Sequence, residues 1–121
     1  MVAQAIAELP NECCGLLAGP AGGDVCRHYP LANAAASPRE YLSDPESLFA
    51  AHKDMRRHRL EIQAIYHSHP SSDPIPSRTD CERLQYPEAV HLIISLKASE
   101  PIIRAWWLSP DSFREAEWDI T

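Results

Sequence analysis

Tyr66-His67-Ser68-His69-Pro70 closes an apolar run that begins at Leu60, and after six further residues the chain reads Ser77-Arg78-Thr79-Asp80. Leu60 to Tyr66 carries the apolar residues of a core strand. Side chains alternate along a strand, so residues two apart face the same way. His67 and His69 therefore aim both imidazoles to one side. Pro70, Pro74 and Pro76 stiffen the connection that follows. Ser77 then precedes a helical stretch with Asp80 at its third position, which is an N-terminal capping pattern. Two imidazoles, a carboxylate and a hydroxyl converge if strand end and helix start are neighbours, yet Ser77 and Asp80 also make sense as a plain helix cap.

Upstream of this stretch, Asp44 is an N-cap before Pro45 at the first helical position, and the helix runs to Met55. Leu48, Phe49, His52 and Met55 fall on its apolar face, so His52 reads as packing. Ala32 to Arg39 is irregular, with a short extended piece at Glu40 to Leu42. Cys13 to Gly19 is a continuous apolar run of the kind a buried strand shows. The turn residues Gly19 to Asp24 return the chain as an antiparallel strand from Val25 to Leu31. Val2 to Leu9 is a helix ended by Pro10. Between that helix and the buried run stands Glu12. A carboxylate at the mouth of a buried strand is costly unless it has a partner. Alone it reads as a surface or capping residue, and a nearby metal would change its weight.

Downstream, His91 to Leu96, Pro101 to Leu108 and Phe113 to Ile120 read as three more strands. His91 is a packed or edge histidine, and Trp106, Trp107 and Trp118 are core or sheet-face aromatics. No internal repeat or low-complexity tract interrupts the chain. The expected architecture is α/β, one domain over residues 1–121.

Composition narrows the function. The 121 residues carry a formal net charge of -6, with a pI near 5.4. That balance argues against a nucleic-acid binder, which needs basic surface to displace phosphate counterions. The one basic cluster, Lys53 to Arg59, reads as a solvated helix face. The apolar runs are too short to span a bilayer, and the N-terminus lacks the pattern of a signal peptide. A cytoplasmic location is expected. The four cysteines form no C-x-x-C pair, which suits reduced thiols better than a disulfide framework.

A catalytic zinc takes three protein ligands and leaves a fourth position open. His67, His69 and Asp80 supply two neutral nitrogens and one carboxylate, a set that leaves the ion net positive. A hydrolase also needs a general base. Glu12 is the best acidic candidate near an apolar strand, and the Ser77 hydroxyl is suited to donate to a developing oxyanion.

Glu12, then His67-Ser68-His69, seven residues, Ser77, two more and Asp80 resemble the E…H-x-H-x7-S-x2-D signature of the JAMM (MPN+) metalloproteases at every defining position. The likeness covers most of the chain and is similar to the short bacterial stand-alone members. Pro10-Asn11-Glu12-Cys13-Cys14-Gly15, Pro30-Leu31-Ala32-Asn33-Ala34 and Pro76-Ser77-Arg78-Thr79-Asp80 carry it further. The resemblance implies a zinc peptidase or isopeptidase acting after the C-terminal tail of a ubiquitin-like sulfur-carrier protein. The type member releases cysteine from such a carrier. It implies zinc on His67, His69 and Asp80, Glu12 as general acid/base, and Ser77 supporting the tetrahedral intermediate. The implied fold is a curved mixed β-sheet flanked by helices. Relatives carry a strand before the first helix, so this sheet is expected to lack that N-terminal edge strand. The chain has little room for the insertions with which deubiquitinating relatives grip ubiquitin, which favours a small carrier. A catalytically silent scaffold of the same fold would have lost ligands, and none is lost here. A zinc nucleobase deaminase would show P-C-x-x-C, which is absent.

Overall fold

The computed structural model describes residues 1–84 and 86–118. Along the chain run α1 (Val2–Ala7), β1 (Cys14–Gly19), β2 (Arg27–Leu31), α2 (Pro45–His58), β3 (Glu61–His69), α3 (Arg78–Glu82), β4 (Val90–Ser95), β5 (Ile102–Ser109) and β6 (Ser112–Ala116). The strands form one mixed sheet in the order β2-β1-β3-β4-β5-β6. Only β3 and β4 run parallel, and the other neighbours are antiparallel. A parallel pair requires a crossover, and here the crossover contains α3. The strand that ends in His67 and His69 therefore feeds directly into the helix that bears Asp80.

Alternation along the strands sorts the core into two layers. Cys14, Leu16, Ala18 and Ile65 face α2 and pack with Ala51 and Met55. Tyr66, Ala64, Leu92, Ile94 and Ala105 face the other way and pack with Ala5 of α1. Cys81 of α3 packs with Ile93, Trp106 and Leu108. In the ladder Cys14 lies opposite His67 and Ile93 beside it. His67 and His69 thus emerge on the face that α2 and α3 cover, one sheet layer away from α1.

Several local readings need correction. The apolar seam of α2 is Leu48, Ala51 and Met55, with His52 beside it bonded to the Tyr86 hydroxyl at 3.0 Å. Phe49 is 71% exposed, because it lies about 100° around the helix from Leu48. The helix continues past Met55 to His58, where Arg59 takes a left-handed conformation with φ 57. Its last turn carries Arg56, Arg57 and His58, and cations there suit the helix dipole. The final strand ends at Ala116, so Glu117 and Trp118 lie beyond it, and the extension to Ile120 falls outside the described residues. Trp106 is buried, Trp107 lies under Arg114, and Trp118 is largely exposed and not a core residue. The four cysteines are free. No helix among the described residues is long and apolar enough to cross a membrane.

Gly15 shows how tightly the central strands are fitted. It pairs with Tyr66 across β1 and β3, and the Tyr66 ring folds over it. A β-carbon there would lie 2.1 Å from ring atoms, and Tyr66 is fully buried with no way to yield. Overpacking of this kind costs typically ~3 kcal/mol at a rigid site. Gly15→Ala is therefore expected to lower the melting temperature by on the order of 10 °C; an unchanged melt would show that the Tyr66 ring can move.

Candidate metal centre

His67 and His69 sit at the end of β3 and Asp80 in the first turn of α3. The Nε2 atoms of the two histidines are 3.2 Å apart. His67 Nε2 is 3.2 Å from Asp80 Oδ1 and His69 Nε2 is 3.1 Å from Asp80 Oδ2. Tetrahedral ligands at about 2.1 Å from zinc lie ~3.3 Å from one another, so the triangle has the size of one face of a zinc site. Taken as hydrogen bonds the contacts are poorly satisfied, since two imidazole nitrogens and a carboxylate must share few protons. These three residues form the group able to hold a metal ion among the described residues.

The surroundings orient each ligand. His69 Nδ1 donates to the Asp73 carbonyl at 2.8 Å, which fixes the tautomer whose Nε2 lone pair is free for a metal. Asp73 belongs to the proline-rich loop, and that loop is tied down by β4 and β5. Ser95 Oγ donates to the Ser72 carbonyl at 2.6 Å and Trp106 Nε1 to the Pro74 carbonyl at 2.9 Å. Tyr41 stacks on the His67 ring with centroids 4.7 Å apart.

Ser77 and Asp80 resolve the ambiguity left by their spacing. Ser77 Oγ accepts from the Asp80 amide at 3.0 Å, and Asp80 Oδ2 accepts from the Ser77 amide at 2.9 Å. The helix cap is real, and the same carboxylate reaches both histidines. The cap and the contact with the two histidines coexist in one arrangement. Burial works to raise the Asp80 pKa, but the two histidines and the Ser77 amide outweigh it and hold the carboxyl well below the usual range. Burial likewise disfavours charged His69, yet the Asp80 carboxylate, the Asp73 carbonyl and Glu12 leave its pKa raised.

Glu12 is 3% exposed. Continuing the β1–β3 register by two residues places it opposite His69. Its main chain is clamped: the amide donates to the Ser37 carbonyl at 2.8 Å, and its carbonyl accepts from Asn33 Nδ2 at 3.0 Å. The next amide, of Cys13, donates to Ser68 Oγ at 2.8 Å, and the Ser68 amide returns a bond to the Cys13 carbonyl at 3.1 Å. The serine between the two histidines thus fixes how far Glu12 lies from them. Glu12 Oε1 is buried with no hydrogen-bond partner among the described residues. A buried carboxylate oxygen left unpaired costs ~1–3 kcal/mol or more unless a proton, water or cation meets it.

Burial, opposed by His69 and reinforced by Asp80, pushes the Glu12 pKa up to about 8 in the metal-free protein. The folded value lies above the unfolded one, so neutral Glu12 stabilises the fold below the ordinary carboxyl pKa. That contribution is lost as pH rises through about 8. In the presence of a chelator, Glu12→Gln should therefore be more stable than the parent at pH 9, by up to about 5 kcal/mol, and no more stable near pH 4.5. A pH-independent difference between the two melts would contradict this placement of Glu12.

The sequence patterns gave Ser68, Asn33, Tyr41 and Trp106 no role at the site. Asn33 also accepts from the Ala35 and Leu42 amides and donates to the Glu40 carbonyl, so one amide side chain fastens Glu12 to the segment carrying Tyr41. No local pattern announces such bonds. Ser68 had a usable signal: a strand residue between two ligands must point into the opposite layer, where a buried hydroxyl requires a partner.

Residues 1–109 match the family model described as prokaryotic homologs of the JAB domain. The chain is 42% identical over 88 residues to a desampylase of Haloferax volcanii, covering 71% of this chain and 63% of the relative. It is 38% identical over 98 residues to the CysO-cysteine peptidase of Mycobacterium tuberculosis, covering 80% of this chain and 67% of the relative. The matched part is thus about two thirds of the length of these relatives. A solved protein of Desulfitobacterium hafniense superposes with a TM-score of 0.85 at 38% identity, over 97% of this chain and 83% of that one.

Proposed function

The chain belongs to the family of prokaryotic homologs of the JAB domain, and from that premise we propose that it is a zinc-dependent peptidase or isopeptidase acting on a ubiquitin-like carrier protein. The bond hydrolysed is the one that follows the carrier's C-terminal tail, with residues 1–121 acting as one catalytic domain. The observation that carries the reading is the triangle of His67 Nε2, His69 Nε2 and an Asp80 carboxylate, with side contacts of 3.1–3.2 Å, beside the unpartnered Oε1 of Glu12. The names of the relatives, a CysO-cysteine peptidase and a desampylase, support the substrate class. Four free thiols suit the reducing cytoplasm.

His67, His69 and Asp80 would hold the metal. When bound there, zinc supplies Lewis acidity that polarises the scissile carbonyl and lowers the pKa of an attacking water. Glu12 takes the water proton on its free oxygen and delivers it to the departing amine. In the metal-free protein burial raises its proton affinity, and a cation held by the adjacent triangle would favour the carboxylate form that accepts the proton. Ser77 has a lone pair committed to the Asp80 amide and retains its O–H to donate where negative charge builds on the carbonyl oxygen. Tyr41, stacked on His67, shields that side of the centre from water. The stiff loop held by Ser95 and Trp106 keeps His69 from turning away.

The test is incubation of the purified protein with ubiquitin-like carriers bearing a C-terminal amino acid or a lysine-linked adduct, followed by intact mass. Cleavage at the tail that a chelator abolishes is the expected result. A chelator-resistant cleavage, or none on any such carrier, would refute the proposal.

A further inference from the structure

Beside Asp80 the surface opens into a slot lined by Tyr41, Leu42, Ser43, Thr79, Asp80 and Arg83. We propose that this slot is a carboxylate-recognition subsite in which Arg83 binds the free α-carboxylate of the leaving group. The preferred substrate is then a carrier ending in one extra amino acid, in preference to a carrier joined to a lysine side chain. The inference rests on the peptidase reading above and specifies its leaving group.

Position is the first argument. Asp80 and Arg83 are three residues apart at the end of α3, so their side chains share a face about one helical turn apart. A group released at Asp80 therefore has the guanidinium within the span of a single amino acid. Charge is the second. Glu12, Asp80 and Glu40 lie within electrostatic reach of one another in a chain of net charge -6. A carboxylate departing past Asp80 and Glu40 is favoured by a cation outside the metal centre that can receive it. Arg78, the other arginine of this helix, is turned to solvent and held by Glu82. Availability is the third. Arg83 Nη1 lies 3.4 Å from Glu40 Oε2, and both side chains are more than a third exposed. Exposed pairs of this length contribute little, so a substrate carboxylate can replace Glu40 and gain the two parallel bonds a guanidinium offers. Hydrolysis adds water across the C–N bond: the carrier keeps the new oxygen as its terminal carboxylate, and the amino acid leaves as a free amine with its own carboxylate against Arg83.

The experiment compares three substrates built on one ubiquitin-like carrier: the carrier extended by a single alanine as the free acid, the same extension as the C-terminal amide, and the carrier joined to the Nε of lysine. Wild-type protein should cleave the acid at least about tenfold faster in kcat/KM than the amide or the lysine adduct. Arg83→Gln should bring the acid down to the level of the amide through KM, leaving the amide unchanged, and Arg83→Lys should recover part of the preference. Equal cleavage of acid and amide by wild type, or an acid preference that survives Arg83→Gln, would overturn the subsite while leaving the peptidase reading intact. Absence of cleavage on all three substrates would overturn the peptidase reading and this inference with it.

Discussion

Glu12→Gln is expected to keep its zinc and to lose turnover by about a thousandfold. A positioned general base contributes typically ~10²–10⁴-fold, and glutamine preserves the shape while removing the proton acceptor. Glu12 is not a member of the group formed by His67, His69 and Asp80, so metal content should change little. The main chain at this position is fastened by Ser37, Asn33 and Ser68 through bonds the substitution leaves alone. The fold should likewise hold, and the metal-free form should become more stable at alkaline pH. The effect should fall on kcat with little change in KM, because the group acts on the reacting proton and makes no contact with the carrier's body. Activity within a few fold of the parent would remove Glu12 from the mechanism.

His69→Ala and Asp80→Asn are expected to strip the metal, each by a different route. His69 supplies a nitrogen whose tautomer the Asp73 carbonyl fixes, and alanine leaves the triangle open on one side. With two ligands remaining, affinity should fall by at least ~100-fold, and activity at trace zinc should disappear. Asp80→Asn keeps the size of the side chain and its bond from the Ser77 amide, but removes the charge that offsets the ion and leaves an amide beside His67 and His69. It should weaken zinc binding by a similar factor while preserving α3, because Ser77 still caps it. Zinc content measured on dialysed protein separates the cases: loss of metal with a normal far-ultraviolet spectrum is the expected pattern, and a full complement of zinc in either variant would rule out the assignment.

Much of this was readable in the chain itself. The alternation of β3 put His67 and His69 on one face because a strand offers no other arrangement. The Ser77–Asp80 pattern carried two meanings, a cap and a ligand; the cap is present, and its own carboxylate turns toward the histidines. Element edges were less legible. The charged run Arg56 to Arg59 lacks apolar periodicity, so nothing in the residues marks the last turn of α2 or the left-handed Arg59 that stops it. Phe49 looked like core by hydrophobicity and is solvent-exposed by phase. The polar supports of the centre were the least legible. Asn33 reaches Glu12 across 21 residues and Trp106 reaches the Pro74 carbonyl across 32. Such bonds depend on tertiary proximity that no local pattern encodes.

Hydrolysis at a carrier's tail is expected to depend on a single zinc held by His67, His69 and Asp80. Its most direct test is a titration of chelated, dialysed protein with zinc, following cleavage of a carrier adduct by intact mass at each addition. The expected result is no cleavage without metal, a rise in proportion to zinc, and a plateau at about one equivalent that His69→Ala does not reach. Cleavage that persists in the metal-free protein, or a plateau unaffected by His69→Ala, would contradict it.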